Sequence, residues 1–210
     1  MSADQFQRDY GVSRETMQRL VIYEGLLRKW QSKINLVSPA SLPHLWERHM
    51  ADSYQLLALT EERSGTWLDL GSGAGFPGLV VAIAGFSGSV TLVESDQKKA
   101  AFMRTVIRET GCAAQVICAR AETLSDADIG PVSIVSARAL TALDKLLALS
   151  QPFFNPGTLG LFPKGREWEG ELAACARHWV LSYEAIQSRT DPEARILKFT
   201  QISPRALENV

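Results

Sequence analysis

The segment WLDLGSGAGFPG, Trp67–Gly78, decides the fold of this 210-residue chain. An apolar run that carries a single acid, Asp69, leads directly into a glycine-rich turn. Glycine lets the backbone turn tightly and lets a ligand approach the backbone amides closely. Such a loop between a strand and a helix is typical of nucleotide-binding sites, so the segment predicts a strand-turn-helix unit that binds a ligand.

The chain after Gly65 alternates short apolar runs with helical patterns. The apolar runs predict strands over Thr66–Leu70, Val90–Glu94, Gln115–Ala119, Val132–Ser136 and Thr158–Phe162. The helical patterns predict helices over Gly78–Ala84, Asp96–Thr110, Leu140–Ser150 and Trp168–Arg177. Because the strand runs are continuously apolar, we expect a parallel sheet that is covered on both faces.

The last two apolar runs differ from the others. Trp179–Ile186 and Arg195–Ile202 are separated only by the residues QSRTDPEA, which leave no room for a crossover helix. They therefore predict an antiparallel hairpin. The fold class expected for the whole chain is α/β, with a Rossmann-like, seven-stranded sheet of five parallel strands and a C-terminal antiparallel pair.

The first part of the chain has a helical pattern instead. One amphipathic helix is predicted over Ser13–Ile34, with Ser13 as its N-cap, and a second over Ser41–Leu59. The residues TEERSG then interrupt the pattern. We therefore predict two domains, a helical extension over residues 1–64 and a ligand-binding domain over residues 65–210.

Composition is that of an ordinary globular protein, with 46% hydrophobic and 21% charged residues. Apolar runs of the roughly 18–20 residues needed to cross a bilayer are absent from the sequence, so no membrane association is expected. The cysteines Cys112, Cys118 and Cys175 form no CxxC pair, which argues against a disulfide framework or a metal site and favours a cytoplasmic protein. Cys118 lies in an apolar run and is expected in the core.

Three interpretations of the glycine turn compete. A phosphate-binding Walker loop would need a Gly-Lys-Ser/Thr sequence, which the turn lacks. A dinucleotide GxGxxG pattern fits Gly73, Gly75 and Gly78, although it begins after an earlier glycine. The third pattern, Asp69-x-Gly71-x-Gly73-x-Gly75, resembles motif I of class I S-adenosylmethionine-dependent methyltransferases, whose seven-stranded sheet also ends in an antiparallel pair.

S-adenosylmethionine has groups that these residues could bind. The loop amides suit its carboxylate, and Asp69 could organise the loop or hold its ammonium group. Glu94 ends the second strand, where an acid can accept hydrogen bonds from the ribose hydroxyls, or can instead cap the next helix. Ala121 and Glu122 follow the third strand and could contact the adenine, unless they belong to an ordinary surface loop.

The acceptor can be narrowed by elimination. Methylation of pyrimidine C5 needs a cysteine nucleophile near the end of the fourth or fifth strand, and no cysteine lies there. Methylation of an exocyclic amine usually accompanies an Asn/Asp-Pro-Pro-aromatic loop, but this chain has VSARAL at Val135–Leu140. The acceptor should therefore already be nucleophilic. Guanine N7 meets this requirement, and so do many small molecules.

Several segments occur together in one order: NLVS, LWERHMADS, DLGSGAGFPG, VTLVESDQKKAAFMR, RAE, VSARAL and FPKG. Together they resemble the bacterial small-subunit ribosomal RNA methyltransferase G family, also called glucose-inhibited division protein B. The resemblance implies N7-methylation of one guanosine in the 530 loop of 16S rRNA, with S-adenosylmethionine as cofactor. It also implies cofactor contacts from Gly71 and Phe76, adenine contacts from Ala121 and Glu122, and a role for Arg138 at the cofactor or substrate.

Basic side chains outside the glycine turn are further candidates. Arg138 ends the fourth strand, where its guanidinium could hold guanine O6 or a phosphate, or could pair with a carboxylate. Lys164 follows the fifth strand and could meet an RNA phosphate, although an isolated lysine is usually only solvated. Arg48 is a candidate substrate contact, whereas His49 and Asp52 beside it are expected to pack rather than react.

The predicted chemistry is direct in-line displacement, in which alignment supplies most of the rate and no side chain is required as a proton acceptor. The expected partner is 16S rRNA, within the 30S subunit or a precursor, and the protein is expected to be a monomer. Net charge is −1, so RNA contact would rest on a local patch. Alternatives are a methyltransferase of the same fold acting on a small molecule or protein, or a nucleotide-binding module without transfer activity.

Overall fold

A computed structural model describes residues 1–60 and 62–205 of the protein. Its centre is one seven-stranded sheet with the order β3-β2-β1-β4-β5-β7-β6. The strands are β1 Gly65–Leu70, β2 Gly88–Val93, β3 Ala114–Ile117, β4 Val132–Ser136, β5 Leu159–Lys164, β6 Trp179–Gln187 and β7 Arg195–Pro204. The first five are parallel, and β7 lies antiparallel between β5 and β6. The predicted fold class is confirmed.

The helices surround this sheet. They are α1 Ala3–Tyr10, α2 Arg14–Gln31, α3 Asp52–Tyr54, α4 Gly78–Ile83, α5 Gln97–Thr110, α6 Asp126–Ile129, α7 Leu143–Ser150 and α8 Trp168–Cys175. Sequence analysis missed α1, a short helix capped by Ser2 at its start and by Gly11, in the left-handed conformation, at its end. The prediction that α7 begins at Leu140 was wrong, because the residues before Leu143 form a loop in which Ala139 has φ 52°.

Residues 42–59 do not form the continuous α-helix that was predicted. They form a 3₁₀ turn over Leu42–His44, a π-helical turn over Trp46–Ala51, the short α3 and a second 3₁₀ turn over Gln55–Leu59. A donor from outside this segment contacts the π turn, because the Arg138 guanidinium donates a hydrogen bond to the carbonyl of Arg48 within it. Single π turns inside helices often mark functional sites.

Side chains alternate across the sheet and create two cores. On β1, Trp67 faces the core shared with α1, α2, α4 and α5, whereas Leu68 and Leu70 face the core shared with α7 and α8. Strand periodicity therefore places Asp69 on the same side as Trp67, beneath α4. The N-terminal helices share a core with the sheet, and a domain boundary after residue 64 stays a prediction.

Two further observations concern single features. Cys118, expected in the core, is exposed, because it follows the edge strand β3 instead of a central strand. None of the helices within residues 1–60 and 62–205 is long and apolar enough to span a membrane.

Candidate active site

The glycine turn after β1 depends on backbone conformations that favour glycine. Gly71 has φ 63° and Gly75 has φ 96°, both in the left-handed region. A Cβ atom at Gly71 would collide with the Leu140 side chain, and one at Gly75 would collide with Leu79. Both positions therefore favour glycine for conformation, and Gly75, which faces the buried Leu79, also favours it for space.

Asp69 supports this turn from below. Its carboxylate is fully buried and accepts hydrogen bonds from the Gly78 amide at 3.2 Å and the Ser136 hydroxyl at 2.7 Å. The Ser136 hydroxyl oxygen also accepts a bond from the Trp67 indole at 2.7 Å. Burial raises the pKa of Asp69 to about 6, and the bonds from Ser136 and Gly78 oppose that rise. Asp69 thus satisfies the first amide of α4 from within the protein.

Glu94 binds the same turn from the end of β2. Its Oε2 accepts the Gly73 amide at 2.8 Å, and its Oε1 accepts the Asp96 amide at 2.8 Å. The N-cap of α5 is Asp96 and not Glu94. Each carboxylate oxygen has a second lone pair, so Glu94 retains the capacity to accept hydrogen bonds from a ligand.

A cavity of about 460 Å³ lies over the turn at the carboxyl ends of the strands, which is where doubly wound sheets bind ligands. Its lining includes seven of the predicted cofactor residues, namely Gly71, Gly73, Phe76, Glu94, Ala121, Glu122 and Arg138. Asp69 and Gly75 are not in the lining. Of the two roles considered for Asp69, its contacts favour organisation of the loop.

Tyr23 of α2 is a contributor that sequence analysis missed. Its hydroxyl donates a hydrogen bond of 2.6 Å to the carbonyl of Ala74 in the turn, and its ring stacks on Phe76 with centroids 5.3 Å apart. Tyr23 is fully buried, and burial raises the pKa of its phenol well above the ordinary value. A helical tyrosine at a core position gave no sequence signal for this contact, since its partner is 51 residues away.

Arg138 is held by the π turn of residues 46–51 and by α3. Its Nη1 donates to the Arg48 carbonyl at 2.8 Å and to Asp52 Oδ2 at 3.2 Å, and its Nη2 donates to His49 Nδ1 at 2.6 Å. Its guanidinium carbon lies 5.1 Å from the centroid of the Phe76 ring. Arg138 thus has the carboxylate partner considered as an alternative and also lines the cavity.

His49 serves as a neutral acceptor in this arrangement. Burial, and to a smaller extent the nearby charges of Arg138 and Arg48, lower its pKa to about 3. Because Nδ1 accepts from Arg138, the ring proton lies on Nε2, which donates to the Ser41 hydroxyl at 2.8 Å. The ring packs on Phe76 with centroids 4.9 Å apart.

A second cavity, of about 690 Å³, adjoins the first. The two share His49, Arg138 and Ala139 as a common wall. Arg48 and Lys164 line the second cavity, together with the loop between β6 and β7. Lys164 is engaged there, since its Nζ lies 2.7 Å from Glu171 Oε2 and 3.4 Å from the Thr141 carbonyl. The described residues hold no cluster of side chains suited to a metal ion.

Comparison with known proteins decides the family. The model for rRNA small subunit methyltransferase G matches residues 16–196. A ribosomal RNA small subunit methyltransferase G from Rhodospirillum centenum is 50% identical over 98% of this chain and 94% of its own length. One from Parvibaculum lavamentivorans is 49% identical over 94% of this chain and 88% of its own. The chain belongs to the rRNA small subunit methyltransferase G family.

Solved structures support the fold of this methyltransferase G family member. A S-adenosylmethionine-dependent methyltransferase from Aquifex aeolicus aligns with a TM-score of 0.55 at 16% identity, over 75% of this chain and 92% of its own. The cofactor of the family fits the first cavity, because the glycine turn, Glu94 and Arg138 surround one space large enough for a small ligand. The resemblance noted from the sequence is confirmed.

Proposed function

We propose that this protein transfers a methyl group from S-adenosylmethionine to N7 of a guanosine in the 530 loop of 16S rRNA. The observation that carries the proposal is the pair of adjoining cavities with a shared wall at Arg138. One cavity lies over the glycine turn and suits a methyl donor. The other opens beside it and suits an acceptor. Family membership supports ribosomal RNA as the source of that acceptor.

Different residues of the first cavity contact different parts of the cofactor. Gly71 and the neighbouring turn, which line this cavity, border the amino-acid portion, and Phe76 supplies an apolar surface. Glu94 accepts from the ribose hydroxyls with its remaining lone pairs. Ala121 and Glu122 flank the adenine, where Glu122 is half exposed and 3.7 Å from Lys145.

Methyl transfer at this site needs alignment of the methyl donor and the acceptor more than it needs proton transfer. Bound S-adenosylmethionine supplies an electrophilic methyl group, and guanine N7 already carries a lone pair. His49 is an imidazole that lines both cavities, but its Nδ1 already accepts from Arg138. The protein's contribution is to orient the two reactants and exclude water, which can supply much of a rate enhancement.

The second cavity would receive the guanosine. Arg48 is exposed at its rim, where its charge can meet an RNA phosphate. Lys164 is paired with Glu171, so we propose that it borders the acceptor and fixes the cavity wall as well as adding positive charge. We further propose that the substrate is the 30S subunit or a precursor, and that the protein is a cytoplasmic monomer.

Mapping of methylated guanosines in 16S rRNA tests the proposal. Cells that lack the protein should lose N7-methylation at one guanosine of the 530 loop, and the wild-type gene should restore it. An Arg138→Ala variant should restore only a small fraction of it. Unchanged 16S rRNA methylation, together with methyl transfer from labelled cofactor to a metabolite extract, would instead establish a small-molecule methyltransferase. Thermal stabilisation by NAD and not by S-adenosylhomocysteine would indicate a nucleotide-binding module.

A further inference from the structure

The N-terminal segment reaches the wall between the two cavities through Arg138. Three acceptors contact this guanidinium: the Arg48 carbonyl, the Asp52 carboxylate and His49 Nδ1. All three come from a short stretch of the π turn and α3, although Arg138 itself follows β4. The side chain of Arg138 is 16% exposed and that of Asp52 is 18% exposed, so water competes little for these bonds.

A guanidinium has five N–H donors. Both hydrogens on Nη1 and one on Nη2 are used by the three acceptors. Within residues 1–60 and 62–205, no hydrogen-bond partner is found for the Nε hydrogen or the second Nη2 hydrogen. These donors belong to a side chain that lines both cavities. The three acceptors therefore fix the direction in which Arg138 presents its remaining donors.

The acceptors are themselves held in place. Asp52 Oδ1 accepts from the Thr190 hydroxyl at 3.0 Å and from the Gln55 side-chain amide at 3.0 Å. The His49 ring is fixed by Ser41 on one edge and by packing on Phe76. Residues that orient a functional group in this way can control activity without contacting a reactant.

We propose that His49 and Asp52 are positioning residues for methyl transfer. They hold Arg138 so that its two remaining N–H donors can bind the cofactor or substrate in the cavities on either side of the shared wall. The inference rests on the proposed function for the identity of those ligands. It extends that function by making the N-terminal segment part of the active site. Neither residue needs to contact cofactor or RNA, because both act through Arg138.

Matched variants separate the acceptor role from packing. His49→Phe keeps a ring against Phe76 but removes the acceptor, whereas His49→Gln retains a side-chain carbonyl that can accept from Arg138. Asp52→Asn keeps an acceptor oxygen but removes the charge. The controls are His178→Phe and Asp144→Asn, which disrupt a second His–Asp pair, 3.2 Å apart, that lines neither of the two cavities.

Methyl transfer to 30S subunits is measured at saturating S-adenosylmethionine, and S-adenosylhomocysteine affinity is measured by calorimetry. His49→Phe should lower kcat/KM for 30S subunits by about 10- to 100-fold, Asp52→Asn should lower it by a smaller factor, and His49→Gln should recover most of the loss. In an Arg138→Ala background, His49→Phe should change kcat/KM by less than about twofold. Equal losses with and without Arg138, or wild-type turnover in His49→Phe, would overturn the inference.

A second measurement does not depend on turnover. Nitrogen NMR of labelled wild-type protein should show His49 protonated at Nε2 and unprotonated at Nδ1, and Arg138→Ala should allow both tautomers. A proton on Nδ1 in the wild type would contradict the contact on which the inference stands. Wild-type protein that fails to methylate 30S subunits but keeps this tautomer would defeat the proposed substrate while leaving the positioning contact intact.

Discussion

Ser136→Ala tests whether the buried bonds beneath the glycine turn hold the active site together. The Ser136 hydroxyl lies between the Trp67 indole and Asp69 Oδ1, at 2.7 Å from each. All three residues are fully buried. Removal of the hydroxyl therefore leaves one donor and one acceptor without a partner and out of reach of water.

The expected loss follows from those two groups. An unsatisfied buried polar group costs about 1–3 kcal/mol, so two of them should lower the free energy of unfolding by about 2–6 kcal/mol. The loss should be larger at pH 8 than at pH 5, because the pKa of Asp69 is about 6 and its carboxylate is charged only above that pH. Ser150→Ala is the matched control, since Ser150 is also fully buried but bonds only a carbonyl four residues earlier in its own helix. That control should lose about 1 kcal/mol or less.

Urea unfolding followed by circular dichroism measures both variants, and a double-mutant cycle isolates the indole bond. Trp67→Phe removes the donor, so Ser136→Ala should cost about 1–3 kcal/mol less in that background than in the wild type. The reasoning is refuted if Ser136→Ala costs no more than Ser150→Ala, or if the cycle shows no coupling between Trp67 and Ser136.

Three other predictions concern the surroundings of the turn. Tyr23→Phe should lower the free energy of unfolding, measured with urea, by about 1 kcal/mol. It should also weaken S-adenosylhomocysteine binding, measured by calorimetry. Unchanged affinity would show that the turn does not need the hydrogen bond from Tyr23 to the Ala74 carbonyl. Gly75→Ala should cost more than Gly11→Ala, because both have positive φ but only the Cβ at Gly75 meets other atoms, and equal urea midpoints would contradict this. The pKa of His49 is about 3, so this group should lower the free energy of unfolding by about 1.4 kcal/mol for each pH unit below 6.5. The pKa of Asp69 is raised to about 6, so that group should increase the free energy of unfolding as pH falls from about 6 to about 4. In His49→Gln the slope from Asp69 is no longer opposed by the slope from His49, so urea midpoints should rise as pH falls from 6 to about 5, and a fall would refute the assignment.

Local pattern was sufficient to predict the strand-turn-helix unit and the position of its acid. Apolar strand runs and glycine spacing are properties of neighbouring residues, and strand periodicity alone places Asp69 under the turn. The sequence also placed Arg138 at the end of β4, where ligands bind in such sheets. These parts of the site required no knowledge of distant contacts.

The partners of those residues could not be predicted in the same way. Ser136 is 67 residues from Asp69, and Asp52 is 86 residues from Arg138, so only the folded chain brings each pair together. The π turn over Trp46–Ala51 was mistaken for regular α-helix, because its deviation coincides with a guanidinium from a distant loop and not with a local residue. The ion pair between Lys164 and Glu171 was also not predicted, because it depends on how the following helix, α8, packs against the end of β5.

The N-terminal helices contact two parts of the proposed site, the glycine turn and Arg138. Tyr23 fixes the glycine turn through the Ala74 carbonyl, and His49 and Asp52 fix Arg138. Without these helices, the sheet would still present the turn and the arginine, but the guanidinium would lose every acceptor described for it. A mostly buried cation without partners either turns toward water or takes a new partner, and in both cases the wall between the two cavities would change. The positioning role proposed for His49 and Asp52 would therefore make methyl transfer depend on residues outside the doubly wound sheet as directly as on those within it.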